Sequence, residues 1–389
     1  MFNLTPSFPG KKCDGFLFTD IVAPLRLDAR MGQGYDDFAL RTVNPVLEWR
    51  GGTVRVFTAF LAAAVWLPLL ELSARADPIS ELRSLSVFKD ADLGKLANGD
   101  VLASKGAPMS YSRGLSVETA YIVKAPVKTT VALQQQFNPA RHPELKVFAQ
   151  EDFSGRGNFQ NLASVRGGSS VKSFVDATMK LPGDASKLQL SNAEVKMFVP
   201  GGGDGAMPPA VVAFWSKVLA GRAQSFASGG LGALAPYETT GSPVRADSEV
   251  ANLLRANGNV RSHFSSLISS TPLGGGRGGG SQTWQVFDAD GTAAVSLSAS
   301  YEKPEGDGWQ SADLLYYASG GVYAVVTLYQ LWPVKVGNQD ATLIWRVDMV
   351  SASELGDLRG VERLGSGAAM MRTIQRDAKA FLRDTPGGR

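Results

Sequence analysis

Between residues 282 and 350 the chain changes to a two-residue period, and that change limits its fold more than any other feature. In "AAVSLSASY" (293–301), Val295, Leu297, Ala299 and Tyr301 alternate with Ser296, Ser298 and Ser300. Successive side chains of a strand point to opposite faces, so this pattern predicts a strand with one apolar side. Turn signals recur at "DADG" (288–291), "KPEGDG" (303–308), "SGG" (319–321) and "VGNQD" (336–340). Strands joined by such turns predict an antiparallel meander. "VYAVVTLYQLW" (322–332) is apolar on both faces and reads as a central strand. In "TLIWRVDMV" (342–350), Leu343, Trp345, Val347 and Met349 share one face, and Arg346 and Asp348 the other.

The chain closes with "GSGAAMMRTIQRDAKAFLRD" (365–384), where Met370, Ile374, Ala378 and Phe381 recur at helical spacing. This amphipathic helix needs an apolar partner. Unpaired charges are costly to bury, so the expected partner is the Leu343–Trp345–Val347–Met349 face, reached through Met370, Ile374 and Phe381.

Upstream, "DADLGKLANGD" (90–100) predicts a short helix capped by Asp92 and ended at Asn98-Gly99. "LSVETAYIVKAP" (115–126) reads as a strand, "VKTTVALQQQFNP" (127–139) as a helix and "ELKVFAQED" (144–152) as a strand. Helical patterns then dominate. "SSVKSFVDATMKL" (169–181) has an apolar face, and "SNAE" (191–194) has capping-box spacing. "AVVAFWSKVLAGRAQSFASGG" (210–230) carries a stripe of Val211, Phe214, Trp215, Val218, Leu219 and Phe226. "DSEVANLLRANG" (247–258) follows, with Asp247 as expected cap and Gly258 as stop. "GGGRGGGSQ" (274–282) reads as a flexible tract. Residues 153–280 are thus expected to be a mostly helical insertion within one domain spanning 77–389.

Two segments carry a family resemblance. "LANGDVLASKGAPMSYSRGLSVETAYIVKAPVKTTVALQQQFNPARHPELKVF" (96–148) combines the step Ala125-Pro126, the helix Thr129 to Phe137 and the turn His142-Pro143-Glu144-Leu145. "GVERLGSGAAMMRTIQRDAKAFL" (360–382) is the closing helix. With the meander, these resemble the START-like, polyketide-cyclase-like (SRPBCC) helix-grip family over roughly half of the chain. The large insertion departs from that family's pattern. The resemblance implies an α+β fold: a curved antiparallel β-meander gripping a long C-terminal helix, with an apolar ligand held between them. It carries over no catalytic residues.

"VRVFTAFLAAAVWLPLLELSARADP" (54–78) has the layout of an export signal: Arg50 and Arg55, an apolar run from Val56 to Leu70, then Ala74-x-Ala76. The run has 15 residues. A membrane-spanning helix needs about 20, so a cleaved signal over 54–76 fits better than an anchor through 56–72. A core helix is the third reading. Residues 1–53 are then an upstream segment outside the mature protein, which begins near Asp77 and has 313 residues. The expected location is periplasmic or secreted.

The only cysteine is Cys13, so the chain from Asp77 has no disulfides and no thiolate metal site. Of 39 basic and 36 acidic residues, the first 76 positions hold eight and seven, leaving 31 against 29. Such a balance argues against nucleic-acid binding. His142 and His263 are too few for a three-histidine zinc site and read as structural or surface residues. No G-x-S-x-G elbow occurs, and "LGSGAA" (364–369) reads as the start of a helix. "FVPGGGDGAMPPAVVAFW" (198–215) lacks the third glycine and the lysine of a phosphate cradle and reads as a linker. Glu302 and Glu305 fall in a turn and are expected to be solvated.

No metal or other cofactor is expected. The candidate ligand-lining residues are Tyr316, Tyr323, Tyr329, Trp332, Trp345, Met349, Met370 and Ile374; packed core is the competing reading for the aromatic ones. The leading expectation is an exported, non-catalytic protein that binds an apolar small molecule or lipid between sheet and C-terminal helix. The alternative is a cell-envelope interaction or scaffold protein with a filled core, whose insertion meets another protein. An enzyme using carboxylates or tyrosines is a third reading, and nothing in the sequence sets an oligomeric state.

Overall fold

The computed structural model describes residues 77–387, apart from residues 156, 184, 186, 187, 203, 204 and 239–241. The expected signal at 54–76 and the segment 1–53 lie outside the described residues.

The meander forms from five strands in sequence: β4 (Ser281–Ala289), β5 (Thr292–Glu305), β6 (Gly308–Ala318), β7 (Ala324–Val336) and β8 (Gln339–Ser351), preceded in the chain by β1 (Leu102–Lys105), β2 (Gly114–Val123) and β3 (Val147–Phe153). The β4–β5 turn shows why the register holds. Asp290 and Gly291 both take positive φ, at 55° and 79°, which gives the primed two-residue turn that matches strand twist. All eight strands pair antiparallel in the order β1-β2-β8-β7-β6-β5-β4-β3. The long strand β7 lies between β8 and β6, and from Ala324 to Trp332 the residues of both its faces are buried.

Two short helices open the described chain, α1 (Pro78–Leu85) and α2 (Leu93–Ala97). Asp77 and Asp92 cap them, accepting from the Ser80 and Lys95 amides at 3.3 and 2.9 Å. α3 (Val127–Gln136) joins β2 to β3. Between β3 and β4 lie α4 (Gly168–Met179), α5 (Asn192–Val195), α6 (Pro209–Gly229), α7 (Ala246–Ala256), α8 (Gly258–His263) and α9 (Ser265–Ser269). After β8 come α10 (Ser353–Asp357) and α11 (Gly360–Arg383). The molecule is therefore α+β, with helices on both faces of one antiparallel sheet.

The two faces differ in what covers them. Leu343, Trp345, Val347 and Met349 share a core cluster with Val211, Trp215 and Phe226 of α6, with Leu253 of α7 and with Phe264 between α8 and α9. This corrects the expectation that this face of β8 meets the C-terminal helix. Met370 and Ile374 of α11 pack instead with Val117, Leu315, Val325 and Val350, while Ala378 and Phe381 pack with Tyr121, Val123, Leu331 and Ile344. The assumption that failed was that Arg346 and Asp348 stay in water. Both are buried, and α11 supplies Asp377 as a further partner.

The helices between β3 and β4 have a polar tie of their own. Ser191 and Glu194 form a reciprocal capping box at α5. The same Glu194 carboxylate accepts from Arg222 of α6 at 2.8 and 2.6 Å, and that guanidinium lies 4.4 Å over the Tyr317 ring. Asp247 is not the cap of α7; it lies inside the first turn, after an N-cap at Arg245. The Gly-rich tract is not a loose linker either. A Cβ on Gly278 would lie 1.8 Å from the Phe226 carbonyl oxygen, so glycine is required where the tract presses against the end of α6.

Candidate functional site

On the α11 face, two neighbouring cross-strand rows are polar. One runs Asp348–Thr327–Asp313–Ser300 across β8, β7, β6 and β5. The next runs Arg346–Tyr329–Ser311–Glu302 across the same strands. Their alternation with apolar residues turns every one of these side chains away from the large core. Gln134 and Gln135 of α3 close the space above the second row. Together with Ser300, Glu302, Ser311, Asp313 and Tyr329 they line a small, partly open cleft of about 20 Å³. That volume suits one water-sized group, since about 10–15 Å³ is the minimum for a water.

At the inner side of this cluster, the Arg346 guanidinium donates to both Asp348 oxygens, with Nε at 2.8 Å from Oδ2 and Nη2 at 2.9 Å from Oδ1. Its Nη1 donates to Asp377 of α11, and the group lies 5.6 Å from the centre of the Tyr329 ring. Thr327 Oγ1 donates to Asp348 Oδ1 at 3.0 Å. Burial raises the Asp377 carboxyl above the usual carboxylate range, against the pull of Arg346.

Asp313 differs from Asp348 and Asp377. Only 8% of it is exposed, and its Oδ1 accepts from Ser300, but Oδ2 has no partner among the described residues. Burial pushes its carboxyl up to about 7, against the Ser300 hydrogen bond and the Arg346 charge. The Tyr329 hydroxyl beside it also favours the charged form, though the two groups do not reach hydrogen-bonding geometry. Tyr329 is 3% exposed, and its Oη has no partner among the described residues. Burial holds that phenol well above its ordinary range. At the outer side, Gln135 Nε2 donates to both oxygens of Glu302, at 2.7 and 2.9 Å. Burial raises Glu302 as well, opposed by that hydrogen bond. Glu302 is half-buried within β5 and not solvated in a turn, whereas Glu305 is exposed.

The arrangement offers one carboxyl able to hold or release a proton near neutrality, an adjacent phenol, and two side-chain amides. Buried polar atoms without partners are rare in folded proteins, so two on residues that line one small cleft single it out.

Of the eight ligand-lining candidates, the cleft contains Tyr329. Met370 and Ile374 lie on the same sheet face, in the apolar cluster under α11. Tyr316, Tyr323, Trp332, Trp345 and Met349 lie in the large core on the other face. There Tyr316 stacks on Phe226 at 3.9 Å and Trp345 on Trp332 at 6.4 Å. The sequence reading missed Asp313, Ser300 and Gln135. Their signal was present: the serine face of β5 continues to Glu302, and Asp313 interrupts an apolar strand.

His142 Nε2 pairs with Asp384 at 3.0 Å, and His263 Nε2 lies 2.9 Å from Gln330 Oε1. Among the described residues no group of three or more His, Cys, Asp or Glu is placed to hold a metal ion. No described helix is long and apolar enough to cross a membrane. Comparison with models of protein families, with curated proteins and with solved structures finds no match to this chain.

Proposed function

We propose that the protein binds a small molecule on the α11 face of its sheet, with the ligand's buried end in the Asp313–Tyr329 cleft, and that it does so without catalysis. The observation that carries this reading is the pair of unpartnered buried atoms, Asp313 Oδ2 and Tyr329 Oη, on two residues that line one cleft. An unpaired buried polar group costs free energy, and a ligand that completes its hydrogen bonds recovers it. The meander and the closing helix packed on one of its faces support a helix-grip arrangement, in which that face is where a ligand sits. The polar lining changes the ligand's character: its buried end is a hydrogen-bonding group, and any apolar part lies outward. Export with loss of residues 1–76 belongs to the same proposal and rests on the order of charge, apolar run and Ala74-x-Ala76.

A second reading, an envelope interaction protein with a filled core, draws on the closed packing of Trp332, Trp345 and Tyr316 under the inserted helices. Ligand-observed NMR with fragments bearing amine, hydroxyl, amide or carboxylate heads separates the two. Binding lost in both Asp313→Asn and Tyr329→Phe supports the cleft. Absence of binding by every class supports the filled-core protein.

A further inference from the structure

Resting on that reading, we infer that the group the cleft takes is the protonated primary amine of a small molecule. The first support is charge. Asp348 and Asp377 pair with the one guanidinium of the cluster, Arg346, while Asp313 lies two strands from it and Glu302 three. Arg346 already donates to Asp348 and Asp377, so Asp313 and Glu302 have no cation of their own in this cluster. An anionic head would meet the two carboxyl groups that line the cleft, Asp313 and Glu302, and is disfavoured.

The second support is hydrogen-bonding capacity. Asp313 Oδ2 lacks a donor, and Tyr329 Oη has lone pairs to offer. Gln135 spends its side-chain NH₂ on Glu302 and leaves its carbonyl oxygen as an acceptor. An ammonium head has three N–H donors and no acceptor, which matches acceptors converging from several sides. A hydroxyl has one donor and would satisfy fewer of them.

The third support is size. The cleft, about 20 Å³, has room for a head with the bulk of one water. An –NH₃⁺ group meets that limit. A trimethylammonium or a guanidinium does not, so the site separates primary amines from other organic cations.

The test uses the chain from Asp77 to its end and four probes matched in chain length: butylamine, butanol, butyrate and butyltrimethylammonium. Binding is followed by ligand-observed NMR at about pH 8, where a primary amine is still protonated. Potassium chloride at matched ionic strength is the control. Butylamine alone should bind, and Asp313→Asn should weaken it about tenfold or more, as for loss of a charge-assisted hydrogen bond. Tyr329→Phe should weaken it by a smaller factor, and Glu302→Gln, at the mouth, by less again. Circular dichroism establishes that each variant is folded. Butanol or butyrate binding that depends on Asp313, with butylamine inert, overturns the amine assignment and leaves the cleft as a binding site. Equal binding of butyltrimethylammonium, or full competition by potassium, also overturns it, because the site would then read charge alone. If no probe binds, and the wider fragment set fails too, the cleft reading itself falls.

Discussion

Arg346 of β8 and Asp377 of α11 form an ion pair between the sheet and the closing helix, and both side chains are buried. The pair fixes which face of β8 the helix covers. With Asp348 on the same strand, it places a charged centre where a purely apolar interface would leave the helix free to slide. Buried ion pairs are weak evidence for stability in themselves, but removing one partner is severe. Asp377→Ala should therefore destabilise the protein by about 3–5 kcal/mol in urea unfolding. A loss under about 1 kcal/mol, the value of an exposed pair, would show that α11 does not hold Arg346 in solution.

Trp345 is fully buried on the opposite face, where Phe264 lies 5.8 Å away and Glu118 accepts from the indole at 3.0 Å. Trp345→Ala should cost about 3–5 kcal/mol by thermal or urea unfolding, because it opens a cavity and strips a buried carboxyl of a donor. Ligand affinity measured well below the melting temperature should not change, since the cleft lies across the sheet. A mutant of native stability that loses ligand binding would reverse the assignment of faces.

Asp313 gives stability a pH signature. Its folded value, about 7, lies above the ordinary 3.8, so the folded state keeps a proton that the unfolded chain releases between those values. Stability contributed by the neutral carboxyl is present at low pH and is lost as pH rises through about 7. Asp313→Asn removes this titration. The variant's stability relative to the parent should rise by up to about 1.4 kcal/mol per pH unit across that window, then level off. Urea midpoints at several pH values measure it, and a difference that stays constant with pH would mean the carboxyl is solvated or fully partnered.

The Gly-rich tract at 274–280 should resist proteolysis relative to the exposed residues Gly202, Gly205 and Ala206. Exposure alone would favour cutting both, but Gly278 sits against the Phe226 carbonyl and Tyr301 Oη donates to the Gly279 carbonyl at 2.9 Å. Gly278→Ala should cost at least about 1–3 kcal/mol through forced backbone movement. First cleavage within 274–280 would show the tract to be free.

Much of the fold was legible because strand and helix periods differ. The serine alternation of β5, the apolar β7 and the cap at Asp92 follow from local chemistry. The layer order was not legible. Which face of β8 meets which helix depends on Asp377, some thirty residues away, and the two-residue period is blind to that. The site was legible only in fragments. Tyr329 stood out as an aromatic, but Asp313, Ser300, Glu302 and Gln135 come together through strand register and the seat of α3, and each alone reads as an ordinary strand or helix residue. Gly278 failed for a related reason, since glycine serves a close backbone contact as well as it serves flexibility.

Export makes a prediction independent of the fold. N-terminal sequencing of protein recovered from outside the cytoplasm should begin at or near Asp77, the residue that caps α1. A mature form that keeps residues 57–70 would exclude cleavage.

The proposed ligand sits on the α11 face, at Asp313 and Tyr329. The most direct measurement is a ¹H–¹⁵N TROSY map of the chain from Asp77 with and without whichever fragment binds best. Side-chain amide signals of Gln134 and Gln135 report the cleft, and indole N–H signals of Trp332 and Trp345 report the opposite face. The glutamine signals and the backbone amides of Ser300, Ser311 and Asp313 should shift with ligand while both indoles stay in place. Shifts centred on Trp332 and Trp345, with Gln134 and Gln135 unmoved, would contradict it.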